Sequence, residues 1–144
     1  MQIFYSEDIS DGTARFSREE SGHCLRVLRM RKGETLTFTD GKGHLYEGII
    51  RDDDPGGMTA SVTSVSEDPS GRNYSLHVAI SPLKNDDRLE WFIEKAVETG
   101  IDVITPLLCN RSEKKRIRRG RLEGIMLSAM KQSGRCLLPR LDEP

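Results

Sequence analysis

The stretch YSLHVAISPLKNDDRLEWFIEKAVETGIDVITPLLC, residues 74–109, decides how the second half of this chain folds. YSLHVAISP (74–82) reads as a buried strand. Leu89, Phe92, Ile93, Ala96 and Val97 then recur at i, i+3, i+4, i+7 and i+8, the spacing that lines up one face of a helix. Asn85 stands where a side-chain oxygen caps the first turn, Asp86 and Asp87 suit the positive end of the helix, and Gly100 supplies a stop. IDVITPLLC (101–109) follows within a residue or two as a second buried strand. Strand, helix and strand joined this tightly predict a βαβ unit, parallel and right-handed.

Further on, Leu122, Ile125, Met126, Ala129 and Met130 form another helical stripe closed by Gly134, and CLLPRLDEP ends the sequence. Two parallel strands cannot cover both sheet faces or bury enough surface to be stable, so this half is expected to be unfinished. On the N-terminal side the pattern changes to short strands. QIFY is a brief strand, and ETLTFTD (34–40) and GHLYEGII (43–50) alternate around Asp40, Gly41, Lys42 and Gly43 as a hairpin does. MTASVTSV (58–65) is a further strand, set off by the breaker DDDPGG (52–57). In SREESGHCLRVLRMRKGE (17–34), Cys24, Leu25, Val27, Leu28 and Met30 are too dense for a surface loop and predict a short helix ending before Gly33. Together these elements predict a small β-barrel. EDPSGRN (67–73) is the predicted boundary between the halves.

With 144 residues, 35% hydrophobic and 31% charged, the composition is that of a soluble globular protein. MQIFYSEDIS has neither a basic n-region nor an apolar core, and no run of about 18 apolar residues occurs, so a cytoplasmic protein with no membrane partner is expected. Cys24, Cys109 and Cys136 form no CxxC pair and read as small buried apolar residues. His23, His44 and His77 lack metal-ligand spacing, and no metal is expected. GxGxxG and Walker A patterns are absent.

The formal net charge of -1 hides an asymmetry, because residues 111–140 carry +8 and the rest carries -9. That polarity suggests a face for a polyanion. RSEKKRIRRGR (111–121) holds seven Arg or Lys residues against one Glu, among them Arg111, Arg116, Arg118 and Arg119. Such a run is commonly a solvated face, yet its self-repulsion is relieved by a bound polyanion. Aromatics for base stacking are missing from it. HCLRVLRMRKGE (23–34) interleaves apolar positions with Arg26, Arg29, Arg31 and Lys32, which permits an amphipathic surface helix or a phosphate grip built on guanidinium forks. KQSGRCLLPR (131–140) adds Arg135.

HCLRVLRMRKGE, KNDDRLEWFIEKAVETGIDVITPLLCNRS and SAMKQSGRCLLPR, in this order and spacing, resemble the ribosomal RNA small-subunit methyltransferase E family over essentially the whole sequence. The resemblance implies a SPOUT-class enzyme that uses S-adenosyl-L-methionine to methylate N3 of a uridine in 16S rRNA of the small ribosomal subunit. It implies a mixed fold, with a PUA-like RNA-binding β-barrel over residues 1–70 and the first part of an α/β, knotted, dimerising SPOUT domain over 71–144. By position, His23, Arg26, Arg29 and Gly33 fall in the barrel motif, and Lys84, Arg88, Lys95, Glu98 and Gly100 in the helix motif. Arg111, Ser112, Gln132, Ser133 and Arg135 fall in the later blocks. Gln2 departs from the family, which commonly has an Arg near there.

The family's chain also continues past the block ending at Pro139, with a glycine-rich loop and knot that bind the cofactor. The resemblance therefore implies a truncated chain, a cofactor site beyond Pro144, and 144 residues that are inactive alone. Phosphate contacts are assigned to Arg26, Arg29, Arg31, Arg111, Arg116, Arg118, Arg119 and Arg135. The catalytic base is unassigned. Glu98 is conceivable, but a pairing with Lys95 suits its place before the helix-ending Gly100 better. A non-catalytic RNA-binding module and a helical-interface protein with a seam at Leu122 to Met130 are the rival readings.

Overall fold

The computed structural model describes residues 2–68, 72–111 and 116–144. The chain divides into two compact units, Met1–Gly71 and Arg72–Pro144. Its fold is mixed, a curled β-sheet unit followed by a parallel α/β unit.

Six strands build the first unit: β1 (Ile3–Tyr5), β2 (Asp8–Ser10), β3 (Thr13–Arg15), β4 (Thr35–Thr39), β5 (His44–Asp52) and β6 (Thr59–Glu67). They form one sheet in the order β1-β4-β5-β6-β3-β2, with β1 parallel to β4 and every other pairing antiparallel. The barrel expected from the sequence is thus a half-barrel, because β1 and β2 do not pair. Ser6 bridges the open side. Its buried backbone N–H donates to Thr39 O at 3.1 Å and its hydroxyl donates to Arg15 O at 2.6 Å, linking β4 to β3 across the gap. Inside the curl, Phe4, Phe16, Leu36, Phe38, Ile50 and Met58 make the core. The Phe16 ring meets Phe38 edge-on at 5.2 Å and Tyr46 stacks on its other side, so aromatic packing adds to simple burial.

The β2–β3 hairpin was not legible as strands, being three residues a side. Its turn is nonetheless written in Asp11–Gly12, both at positive φ (51° and 72°), the primed geometry that matches strand twist and favours Asp-Gly.

The predicted helix before β4 is shorter and wider than its sequence suggests. Ser17 accepts from Glu20 N to start α1 (Arg18–Gly22), which opens into a π-helical turn over His23–Val27. Cys24 and Leu25 are buried in the curl, whereas Val27 and Leu28 are 66% and 41% exposed. Their apolar density therefore does not mark core, contrary to the sequence reading. The Glu20 carboxylate accepts from Tyr5 N at 3.0 Å and ties the helix to β1.

The second unit is β7 (His77–Ile80), α2 (Asp86–Thr99), β8 (Val103–Pro106), α3 (Arg119–Ser133) and β9 (Arg140–Leu141). All three strands are parallel in the order β7-β8-β9. Asn85 accepts from Asp87 N at 2.9 Å as the predicted cap, and α2 ends at Gly100 in the left-handed region. Leu89, Ile93 and Val97 of α2 are buried, as are Leu122, Met126, Ala129 and Met130 of α3. Each of these side chains except the small Ala129 contributes about 1.5–3 kcal/mol through burial. The two helices pack together, as two successive right-handed crossovers in one direction require.

Two expectations are corrected here. The tail contributes a third strand, since Leu141 pairs beside Ile104 and is buried. β7 is not buried, because it lies at the sheet edge with His77 and Ala79 exposed.

Candidate nucleic-acid interface

The π-helical turn, the residues after it and the β5–β6 loop enclose an open groove of about 400 Å³ lined by Leu25, Arg26, Arg29, Arg31, Asp53 and Pro55. Its walls are fixed by local bonds. Arg31 turns back, and its Nη1 donates to Leu25 O and Met30 O, both at 2.9 Å, while Glu34 accepts from Arg31 N. Arg31 is thereby a brace for the turn as well as a lining residue. Arg29 sits at φ 58°, which reverses the chain after the turn. Arg26 and Arg29 are exposed and have no hydrogen-bond or ion-pair partner among the described residues. Unpaired guanidinium groups held beside each other repel, so the groove favours an anionic guest.

His23, of the same motif, packs its ring at 6.1 Å from Phe4 and meets the Gln2 amide at 3.4 Å. At the β4–β5 turn, Asp40 Oδ2 lies 2.8 Å from His44 Nδ1 and accepts from Tyr46 OH at 3.2 Å. Burial opposes ionisation of Asp40, but the Lys42 amide and His44 outweigh it and hold its carboxyl below the usual range. The same burial, with the Asp40 charge, pushes the Tyr46 phenol up. This cluster escaped the sequence reading, although the Asp-x-x-x-His-x-Tyr spacing across a hairpin turn was there to find.

In the second unit the basic run divides. Ser112, Glu113, Lys114 and Lys115 lie outside the described residues. Arg111 and Arg116 are exposed and unpartnered among those described. Arg118 lies 4.0 Å from Asp86 Oδ2, at the limit of an ion pair.

The rest of the run serves the fold. Arg119 donates to Leu141 O and Asp142 O and pairs with Glu123 (2.9 Å) and Glu143 (3.2 Å), fastening α3 to the chain around β9. Arg121 binds Glu90 and links α3 to α2. Arg135 donates from Nε to Glu98 O at 3.0 Å. Of the eight arginines singled out from sequence, Arg31, Arg119 and Arg135 thus spend donors on the chain's own carbonyls. Arg26, Arg29, Arg111 and Arg116 have no partner among the described residues, and Glu98 pairs with Lys95 at 3.4 Å.

Across the parallel sheet, His77 Nε2 lies 2.6 Å from Thr105 Oγ1, which donates to Asp142 Oδ2 at 3.1 Å, and Asp142 also pairs with Arg140. Cys24 and Cys136 are buried as expected, but Cys109 is exposed. Among the described residues no three His, Cys, Asp or Glu side chains gather as metal ligands, and no helix is long and apolar enough to cross a membrane.

A curled PUA-type sheet unit ahead of a parallel α/β unit defines a two-part protein of the RNA-modifying class. An RNA methyltransferase PUA domain matches residues 16–63 and an RNA methyltransferase domain matches residues 70–144. The chain belongs to that RNA methyltransferase family, as its likeness to the small-subunit methyltransferase E sequences implied. The ribosomal RNA small subunit methyltransferase E of Mycobacterium bovis is 28% identical over 97% of this chain and 56% of its own length. A probable rRNA-methyltransferase from Porphyromonas gingivalis superposes with a TM-score of 0.87 at 35% identity, over 99% of this chain and 60% of that one. The ribosomal RNA small subunit methyltransferase E from Neisseria gonorrhoeae, solved with S-adenosyl methionine bound, gives 0.79 at 25% identity, over 99% and 62%. The chain spans just over half the length of the curated relatives it matches.

Proposed function

We propose that this chain grips ribosomal RNA for methyl transfer from S-adenosylmethionine to N3 of a uridine in 16S rRNA, as a cytoplasmic homodimer acting on the small ribosomal subunit. The observation that carries the reading is the pair Arg26 and Arg29, exposed and without a partner among the described residues, beside a groove on a unit that matches an RNA methyltransferase PUA domain. Together with Arg111 and Arg116 they supply sequence-independent affinity for phosphates. Arg118 joins them once its long contact with Asp86 opens.

When bound, S-adenosylmethionine supplies the electrophilic methyl group. The residues after β7 and β8 include Leu83, Leu107 and Leu108, all exposed, at the carboxyl edge of a parallel sheet, where open α/β folds place ligands. Such side chains cover an adenine face but offer no anchor for a ribose or a carboxylate, so by themselves they do not make a complete cofactor site. What the chain's own residues do is hold the RNA backbone. Uridine N3 carries a proton that must leave before it attacks, and the target base must be unpaired or flipped.

Two measurements test this. Nucleoside mass spectrometry of 16S rRNA from cells lacking the gene should show loss of N3-methyluridine, restored by the gene; an unchanged level rejects the reaction. Titration of the 144-residue chain with a 16S rRNA fragment should show binding that weakens when Arg26 and Arg29 are both changed to Glu.

A further inference from the structure

The loop DDDPGG contains three consecutive aspartates, and the middle one differs from its neighbours. Asp52 Oδ1 accepts from Asp54 N at 3.2 Å, and Asp54 Oδ1 accepts from Gly56 N at 2.8 Å, so these two shape the turn. Asp53 faces the groove instead, where its Oδ2 accepts from Lys32 N at 3.3 Å. It lines the same space as Arg26, Arg29 and Arg31, yet it forms no ion pair with any of them. Its Oδ1 has no partner among the described residues.

A surface evolved only to hold phosphates gains nothing from a carboxylate, which repels the anion and weakens the field of its neighbours. Here the carboxylate accepts from the Lys32 amide and from none of the arginines. Its place is explained if the guest carries both an anion and a hydrogen-bond donor. Pro55 and Leu25 also line the groove, and its volume falls at the small end of the range of about 300–1,000 Å³ for ligand pockets. A nucleotide combines all three features, and single-stranded RNA is read through the Watson–Crick edges of splayed bases.

We propose that this groove holds one unpaired guanosine of the RNA, with Arg26 and Arg29 on its phosphate, its base against Pro55, and Asp53 accepting from guanine N1–H and the N2 amino group. Guanine is the base that presents two adjacent donors to a carboxylate. The first unit would then contribute sequence selectivity as well as charge. This rests on the RNA-binding reading above and deepens it.

The test is fluorescence anisotropy of the 144-residue chain with short single-stranded RNAs identical except for one central guanosine, inosine, adenosine or uridine. The guanosine RNA should bind about tenfold tighter than the inosine RNA, which lacks the N2 amino group, in line with bidentate base contacts. Asp53→Asn should abolish that preference, while the uridine RNA, relieved of the carboxylate's repulsion, should bind the variant at least as tightly as the parent. Because Asp53 is exposed, a matching thermal melt of the variant is expected and confirms that folding is intact. Equal affinity for all four RNAs, or a preference that survives Asp53→Asn, overturns the guanosine pocket while RNA binding itself stands. RNA affinity indifferent to reversal of Arg26 and Arg29 overturns the phosphate grip, and the pocket with it.

Discussion

Arg135 lies against Gly100 so closely that a β-carbon on Gly100 would come within 2.7 Å of its Nη1, and its Nε caps the Glu98 carbonyl at the end of α2. Gly100 itself sits at φ 96°. The residue that stops the helix is thus also the one that admits the arginine from the far end of α3. Gly100→Ala should cost about 1–2 kcal/mol from the left-handed backbone, with a further loss from displacing the guanidinium. Arg135→Ala should cost about 1 kcal/mol by leaving that carbonyl without its donor. Denaturant titration checks both. Arg135→Ala should leave the salt dependence of RNA binding as it is, in contrast to a phosphate contact.

Arg26 and Arg29 should behave in the opposite way. Changing both to Glu should leave the unfolding midpoint within about 0.5 kcal/mol of the parent. It should lower RNA affinity and flatten the plot of log affinity against log salt by about 1.4, or 0.7 for each single-strand phosphate released. Titrations at several salt concentrations measure the slope. A slope equal to the parent's would remove these residues from the interface.

Arg119→Ala separates charge from role in the basic run. Its guanidinium serves the carbonyls of Leu141 and Asp142, so its removal should loosen β9 from β8, with faster hydrogen exchange at Arg140 and Asp142 amides, which donate to Asp102 O and Ile104 O. Arg116→Ala should leave those amides unchanged and weaken RNA binding.

These contrasts show where sequence reasoning held and where it stopped. The helix stripe of α2, its Asn85 cap and its Gly100 stop are local features, set by spacing along a few turns, and all were legible. The strands of the β4–β5 hairpin were legible for the same reason. Which arginines bind the chain itself was not, because Arg119 and Arg135 find carbonyls more than twenty residues away. Nor does DDDPGG reveal in its letters that only the middle aspartate faces the groove. Val27 and Leu28 misled because apolar density predicts burial only when the helical period is known, and the π-helical turn changes that period.

Asp40 gives an acid-side prediction. Its carboxyl is held below the ordinary value of 3.8 by the Lys42 amide and His44, against the pull of burial. A depressed folded pKa contributes stability above the unfolded value, and that contribution is lost as pH falls through the folded one. Unfolding midpoints should therefore drop on acidification below about pH 4. Asp40→Asn should remove this component and cost about 1–2 kcal/mol at neutral pH through the weakened bonds to His44, Tyr46 and the turn.

Tyr5 gives the alkaline counterpart. Burial, followed by the charge of Glu7, pushes its phenol up to about 12 from 10.0. The folded state therefore keeps the proton where the unfolded chain would lose it. Stability from this group is fully present below pH 10 and disappears as pH rises through about 12. Its backbone N–H meanwhile holds Glu20 at the junction of β1 and α1, so loss of Tyr5 packing exposes that junction too. A titration of phenolate absorbance should show one tyrosine ionising about two pH units late. Tyr5→Phe should delete that step and flatten the fall in unfolding midpoint between pH 10 and 12. A late step that survives in Tyr5→Phe would overturn the assignment of that shift to Tyr5.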